Sequence, residues 1–212
     1  MLRFATRTRV RNAAVVLLLA VAAYATASQP REAFARDGSV PTERPDLAAV
    51  RQATVRYRDV ANAVADGFIS DGRCIGHPGL GAMGVHYIQP KRAGMVMKDG
   101  RVHGTDRALD PMEPEVLVYA PQKDGSLELA AVEWYVSKEA WGEGEAPNIF
   151  GVPFDLMQDD PNTPDDEAHE FTPHYDQHVW LFLDNPKGLF AQWNPNVVCP
   201  AEGHGAHGHG AH

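Results

Sequence analysis

Ten consecutive residues, Leu127 to Val136, read LELAAVEWYV and are apolar on both faces of an extended strand. Leu127, Leu129, Ala131 and Tyr135 fall on one face, and Ala130, Val132, Trp134 and Val136 on the other. A strand of that kind lies inside a sheet and needs cover on both sides, so the rest of the chain must supply two layers. Glu133 breaks the pattern in mid-strand. A carboxylate there has to be paired with an arginine, protonated or bound to a cation. The preceding segment Glu115-Val116-Leu117-Val118-Tyr119 is rich in β-branched and aromatic residues, and Lys123-Asp124-Gly125-Ser126 supplies a turn, so the two segments predict a hairpin.

The C-terminal stretch His174 to Cys199 predicts further strand. Gln177 to Leu183 reads as a buried strand, with His178, Trp180 and Phe182 on one face and Val179, Leu181 and Leu183 on the other. Asn185-Pro186-Lys187-Gly188 is a turn, Leu189 to Trp193 is expected to pair back, and Asn194-Pro195-Asn196 ends the pairing. His174 and His178 would form a metal pair on a helix; on a strand they lie about 13 Å apart and do not share an ion. Upstream, five glycines between Phe68 and Ile88 predict a loop running into a strand at Val85–Ile88, and Met95–Met97 reads as a short strand. Ser137 to Pro173 is mostly connection, with an apolar island at Ile149–Met157 and an acidic loop at Gln158–Glu170.

Leu47, Val50, Thr54, Tyr57, Ala61, Val64 and Phe68 follow helical spacing, with Asp46 as N-cap and Gly67 as stop. This predicts some 20 residues of helix, about 30 Å long, lying across the sheet. The expected fold class is therefore α+β: one long N-terminal amphipathic helix packed on a bent antiparallel β-sheet or small open barrel.

Residues 1–27 read as a secretory signal peptide. Arg3, Arg7, Arg9 and Arg11 precede an apolar run, and Ala25-Thr26-Ala27 makes a small-x-small cleavage site. Residues 28–45 read as a proline-bearing flexible leader, 46–200 as one globular domain, and 201–212 as a disordered His/Gly-rich tail. The formal charge is -9, and removing the four leader arginines leaves 15 basic against 28 acidic residues. That excess excludes nucleic acid as a partner and, after signal cleavage, a membrane surface. The expected compartment is the periplasm or the extracellular space, and nothing in the sequence assigns an oligomeric state.

Export gives the two cysteines an oxidising setting, so Cys74 and Cys199 are expected to form a disulfide, the alternative being two buried free thiols. His86, Glu133 and His178 each fall in mid-strand, where a polar side chain needs a reason. Two histidines and a carboxylate from three strands suit a divalent transition metal (Zn, Mn, Fe or Cu) with open positions. The competing reading is that the histidines satisfy core hydrogen bonds and Glu133 pairs with an arginine. Glu115, Tyr87 and His174 are candidates to orient the ligands from behind. His204, His207, His209 and His212 of the tail are candidates for weak metal binding. Phosphate-loop, EF-hand, H-E-x-x-H and G-x-S-x-G motifs are absent, no H-x-H lies outside the tail, and Ser70, Ser126 and Ser137 have no His/Asp pattern beside them. Without a metal, Trp134, Trp180, Trp193, Tyr87 and Phe182 would be the lining of an apolar pocket.

The segments GFISDGRC, GAMGVHYI, PEVLVYAP, LELAAVEWYV, IFGVPF and HVWLFLDNPKGLFAQWNPNVVC resemble, in the same order, those of a family of uncharacterised exported bacterial proteins. The resemblance covers roughly residues 68–199. It implies export and a shared fold, and carries no activity. The acidic insert near Gln158 and the His-rich tail depart from the family pattern. The functional expectation is an exported soluble binding protein for a small molecule or metal ion, with a divalent metal in the β core. The alternative is a metal-dependent enzyme, an oxygenase or hydrolase, built on the same residues.

Overall fold

The computed structural model describes residues 46–163 and 166–200. The expected signal peptide, leader and His-rich tail lie outside the described residues. The chain enters at α1 (Leu47–Thr54), tightens into a 3-10 turn (Val55–Arg58) and resumes as α2 (Val60–Ala65). It continues through β1 (Cys74–His77), β2 (Gly81–Ile88), β3 (Met95–Lys98), β4 (Arg101–Gly104), β5 (Val116–Pro121) and β6 (Leu127–Ser137). A single turn α3 (Lys138–Trp141) follows, then β7 (Asp155–Met157) and β8 (His174–Val179). Six strands form one antiparallel sheet in the order β1-β2-β5-β6-β8-β7, and β3 and β4 pair as a separate hairpin. Among the described residues no helix is long and apolar enough to cross a membrane.

The long N-terminal helix is not present, and the fold is mostly β: a curled antiparallel half-barrel with short helical pieces at its back. The helix breaks at Asp59, whose backbone turns extended (φ -90°, ψ 110°) and whose side chain accepts from the Ala61 N–H, so that it caps a new helix. Tertiary bonds hold the break. The Tyr119 hydroxyl donates to the Tyr57 carbonyl at 2.7 Å, and Asn62 Nδ2 donates to the Arg56 carbonyl at 2.9 Å. Two carbonyls that an unbroken helix would use internally are thus taken by other partners. Part of the apolar stripe still reaches the sheet: Val50, Tyr57 and Phe68 pack with Leu117, Tyr119, Val132 and Trp134 in one cluster, but beyond the break Ala63 joins them while Ala61 and Val64 are exposed.

Strand β6 is central, as its two-faced pattern demands, with β5 on one side and β8 on the other. The back face is a dry core. Trp134 is fully buried, its ring meets Phe150 edge-on at 4.6 Å between centroids, and its Nε1 donates to the Asp110 carbonyl at 2.9 Å. Burying a side chain of that size and satisfying its one donor stabilises by roughly 3 kcal/mol. The front face carries smaller residues, Val116, Val118, Ala131 and, where a bulge shifts the β5–β6 register, Ala130, in a second cluster that includes Trp180 and both cysteines.

The C-terminal stretch differs from its expected form. Strand β8 begins at His174 and ends at Val179, and residues 180–193 are irregular. The segment does not pair back as a strand; a single backbone–backbone bond, from Trp180 N–H to the Leu189 carbonyl, remains. Asn194 reaches across instead to bridge Ala82. Gly81 (φ +99°) makes this possible, because a Cβ there would collide with the Asn194 carbonyl. Strands β1, β4 and β7 arise where the sequence predicted loop. Cys74 and Cys199 are joined by a disulfide that spans 125 residues and fixes the terminal segment against β1.

Candidate metal centre

Register brings the three mid-strand residues together on the front face. Glu133 on β6 lies directly opposite His178 on β8. On its other side Glu133 faces Val116 of β5, and His86 of β2 faces the next same-side residue of β5, Val118. Strand β5 thus separates His86 from Glu133, but its two valines are short. The longer imidazole and carboxylate close over them.

The result is a nearly equilateral triangle of donor atoms. His86 Nε2 and His178 Nε2 each lie 3.3 Å from Glu133 Oε2, and 3.4 Å from each other. A tetrahedral ion with bonds of 2.0–2.1 Å spaces its ligand atoms about 3.3–3.4 Å apart. Glu133 Oε2 is buried without a hydrogen bond, the two Nε2 atoms lie within hydrogen-bond distance of each other, and all three atoms are close enough together for one ion to hold them. An arginine partner for Glu133, the competing expectation, is not what surrounds it: the charged groups acting on it are His178, His86 and His174.

Electrostatics favour the ligand forms of these groups. Burial depresses His178 to about 4, against the opposing pull of Glu133, so the imidazole is neutral at pH 7 and keeps a free lone pair. Burial pushes the Glu133 carboxyl up, and the imidazoles outweigh it and hold it below its ordinary range. The part of that pull contributed by His178 acts only in acid, where His178 is charged. The carboxylate is therefore ionised and both groups are ready for a cation.

The triangle faces a cavity of about 400 Å³. His86, Glu133, Tyr135, His174 and Asp176 line it, while His178 lies beneath at 1% exposure. One wall is the chain from Ile69 to Ile75, the other the loop Ala168–Phe171. Arg73 ties the walls: its Nη1 and Nη2 donate to Glu170 Oε1 and Oε2 at 3.1 and 2.7 Å, and its Nε to Asp71 at 2.5 Å. His169 and Glu170 both have positive φ (52° and 68°), a conformation costly for residues with side chains.

The three residues expected to orient the ligands stand elsewhere. Glu115 is buried, and burial raises it to about 8; its Oε2 accepts from the Tyr135 N–H at 3.1 Å, where the β5–β6 ladder runs out. The neighbouring Pro114 carbonyl is taken by Arg92 Nη1 at 2.5 Å. Tyr87 packs on Tyr119 in the back-face cluster. His174 lines the cavity and donates its Nδ1 hydrogen to the Thr172 carbonyl at 3.0 Å, so its Nε2 turns toward Asp176 Oδ2, 3.9 Å away. His178 Nδ1 is buried without a hydrogen-bond partner, so no residue orients that ring from behind. None of Trp134, Trp180, Trp193, Tyr87 and Phe182 lines the cavity, which corrects the expected aromatic lining.

Sequence reasoning missed Asp176. It is 3% exposed, shares the front face of β8 with His174 and His178, and is raised well above the carboxylate range by burial and by Glu133 and Asp155. The alternation His174-Asp176-His178 was the available signal, hidden because the strand was expected to begin at Gln177. No protein-family model, no curated protein and no solved structure matches this chain.

Proposed function

We propose that the chain is an exported binding protein that holds a divalent metal ion, Zn2+ by donor set and spacing, between His86, Glu133 and His178. The ion keeps one coordination position open toward the cavity, and a small molecule is bound there. The observation that carries this reading is the triangle of donor atoms with edges of 3.3, 3.3 and 3.4 Å. Three protein ligands and an accessible fourth position distinguish a working site from a closed structural one. Export rests on the leader sequence, on the resemblance to exported proteins and on the disulfide.

The test is metal content by elemental mass spectrometry, on a chain in which His204, His207, His209 and His212 are replaced by Gln and purified without a metal column. The expected result is close to one zinc per chain, lost in His178→Ala. Folded protein that takes up no Zn2+, Mn2+, Fe2+ or Cu2+ removes the reading. A metal-dependent hydrolase is the second reading, favoured by the Asp176 carboxyl beside the open side of the site. Metal-dependent turnover of a nitrophenyl ester, lost in His178→Ala, separates it from simple binding.

A further inference from the structure

The two walls of the cavity are held in different ways. The wall at Ala168–Phe171 is tied to β4 of the β3–β4 hairpin. Val102 N–H donates to the Glu170 carbonyl at 2.9 Å, and Thr172 N–H donates to the Val102 carbonyl at 2.8 Å. Arg101 Nη1 donates to the Phe171 carbonyl at 2.8 Å and to Asp166 Oδ1 at 3.1 Å. The opposite wall is firm only at its ends. Ile69 exchanges two backbone hydrogen bonds of 2.8 Å with Ile88, and Cys74 opens β1 and carries the disulfide. Between those ends, Ser70–Arg73 makes no backbone–backbone hydrogen bond among the described residues. Its bonds are local: Gly72 N–H donates to Ser70 Oγ, and Arg73 N–H to Asp71 Oδ1. Gly72 has φ +79°, and nothing stands within 4 Å of where its Cβ would be. The hydrogen bonds that cross to the other wall come from the fork of Arg73 on Glu170.

We propose that Ser70–Arg73 is a strap that opens and closes the cavity, with the Arg73–Glu170 ion pair as its latch. The proposal deepens the metal reading above by naming what controls access to that site. The latch spans the half-exposed rim, while Glu133 and His178 lie buried below it. An ion pair at such a rim is weak enough to break and re-form without unfolding the sheet. Asp71 travels with Arg73, because its Oδ2 accepts from Arg73 Nε at 2.5 Å within the strap. The guanidinium therefore keeps one carboxylate partner when it leaves Glu170. Pinned ends let the strap swing without disturbing the pairing of β1 with β2, and Gly72 has the freedom and the room to absorb the turn. Closed, the strap keeps water from the site and retains what the cavity holds.

The test uses the tail-substituted full-length chain as parent, with Arg73→Gln and Glu170→Gln. In metal-free protein, diethyl pyrocarbonate modifies the histidine rings that it reaches, and mass spectrometry follows His86, which lines the cavity. The rate at His86 is expected to rise about threefold to fivefold in both variants. The two substitutions change the local charge in opposite directions, so a rise in both reports access rather than an altered imidazole. In about 0.5 M sodium chloride the parent is expected to approach the variants, a comparison that needs no variant to fold. Zn2+ release to a chelator is expected to quicken by a similar factor at unchanged Zn2+ affinity, since Arg73 pairs with Asp71 and Glu170 and not with the triangle. One rate at His86 in the parent and both variants, indifferent to salt, overturns the strap. A parent that takes up no Zn2+, with both variants still faster at His86, removes the metal reading and leaves the strap as the door of the cavity. Zn2+ held through His178, with release and His86 modification unchanged in the variants, removes the strap alone.

Discussion

Strand β6 has two faces that follow opposite rules. On the back, Val132, Trp134 and Val136 are fully buried among Tyr57, Phe68, Phe150 and Phe154, and the one polar atom of Trp134 is hydrogen-bonded. On the front, Glu133 is 4% exposed, its Oε2 makes no hydrogen bond, and Asp176 and His178 opposite are left with unpartnered atoms as well. Alternate residues of one strand therefore stabilise and destabilise the same sheet. The back face, with the larger side chains, supplies the larger share of the apolar burial that drives folding. The front face uses some of that stabilisation to hold charged and polar groups where water does not reach.

The sharpest way to break this contrast is at its strong side. Trp134→Ala is expected to cost about 3–5 kcal/mol in urea unfolding, because it removes the largest buried side chain and strands the Asp110 carbonyl. A loss below about 1 kcal/mol would mean that the back face is not what holds the sheet.

Next in size is the pH dependence of the metal-free protein, which buried groups shape from both sides, Glu115 and Asp176 being raised and His178 lowered. Glu115 is raised from 4.5 to about 8, so its contribution is full below pH 4.5 and is lost as pH rises through 8. His178 is lowered from 6.5 to about 4, so its contribution is full above pH 6.5 and is lost as pH falls through 4. Stability measured in chelator should peak in mildly acidic solution, between pH 4.5 and 6.5, and fall on both sides. Glu115→Gln, which keeps an acceptor for the Tyr135 N–H, should flatten the alkaline limb. An alkaline limb that survives in Glu115→Gln assigns it to another group.

A smaller and opposite effect is expected at Glu133. Replacing a buried, unpartnered carboxylate by an apolar side chain of similar volume is often stabilising. Glu133→Met should gain about 1 kcal/mol or more in chelator and lose all stabilisation by added Zn2+. Destabilisation by the same substitution would show that Glu133 contributes to folding rather than drawing on it. The least effect belongs to the cavity rim. Arg73 and Glu170 are half-exposed, at 40% and 61% of their side chains. Arg73→Gln should cost under about 1 kcal/mol, less still in high salt. A larger loss would make the tie between the two walls part of the core.

What the sequence disclosed follows the same division. The β5–β6 hairpin, the central place of β6 and the oddity of Glu133 were legible because a two-faced apolar strand permits few arrangements. His86, Glu133 and His178 stood out as polar residues in mid-strand; their meeting depends on register across four strands, which periodicity does not encode. The long helix was misread because spacing records which residues face the core, not whether the backbone between them is continuous. Asp59 breaks the helix and turns the face that follows, so that Ala63 is buried where Ala61 and Val64 were expected. Strand β1 was hidden by Gly76 and the glycines on either side of it, and β7 by its three-residue length. Asp176 escaped notice because the start of β8 was placed three residues late.

The bond between Cys74 and Cys199 also sets an order of events. Cys74 opens the first strand, and Cys199 follows the last. Nothing can close the bond until every strand of the sheet has been synthesised, so a chain interrupted anywhere in between carries a lone thiol. Covalent closure thus acts as a certificate of completeness. A thiol-reactive reagent applied to newly made protein should mark unfinished molecules and pass over finished ones.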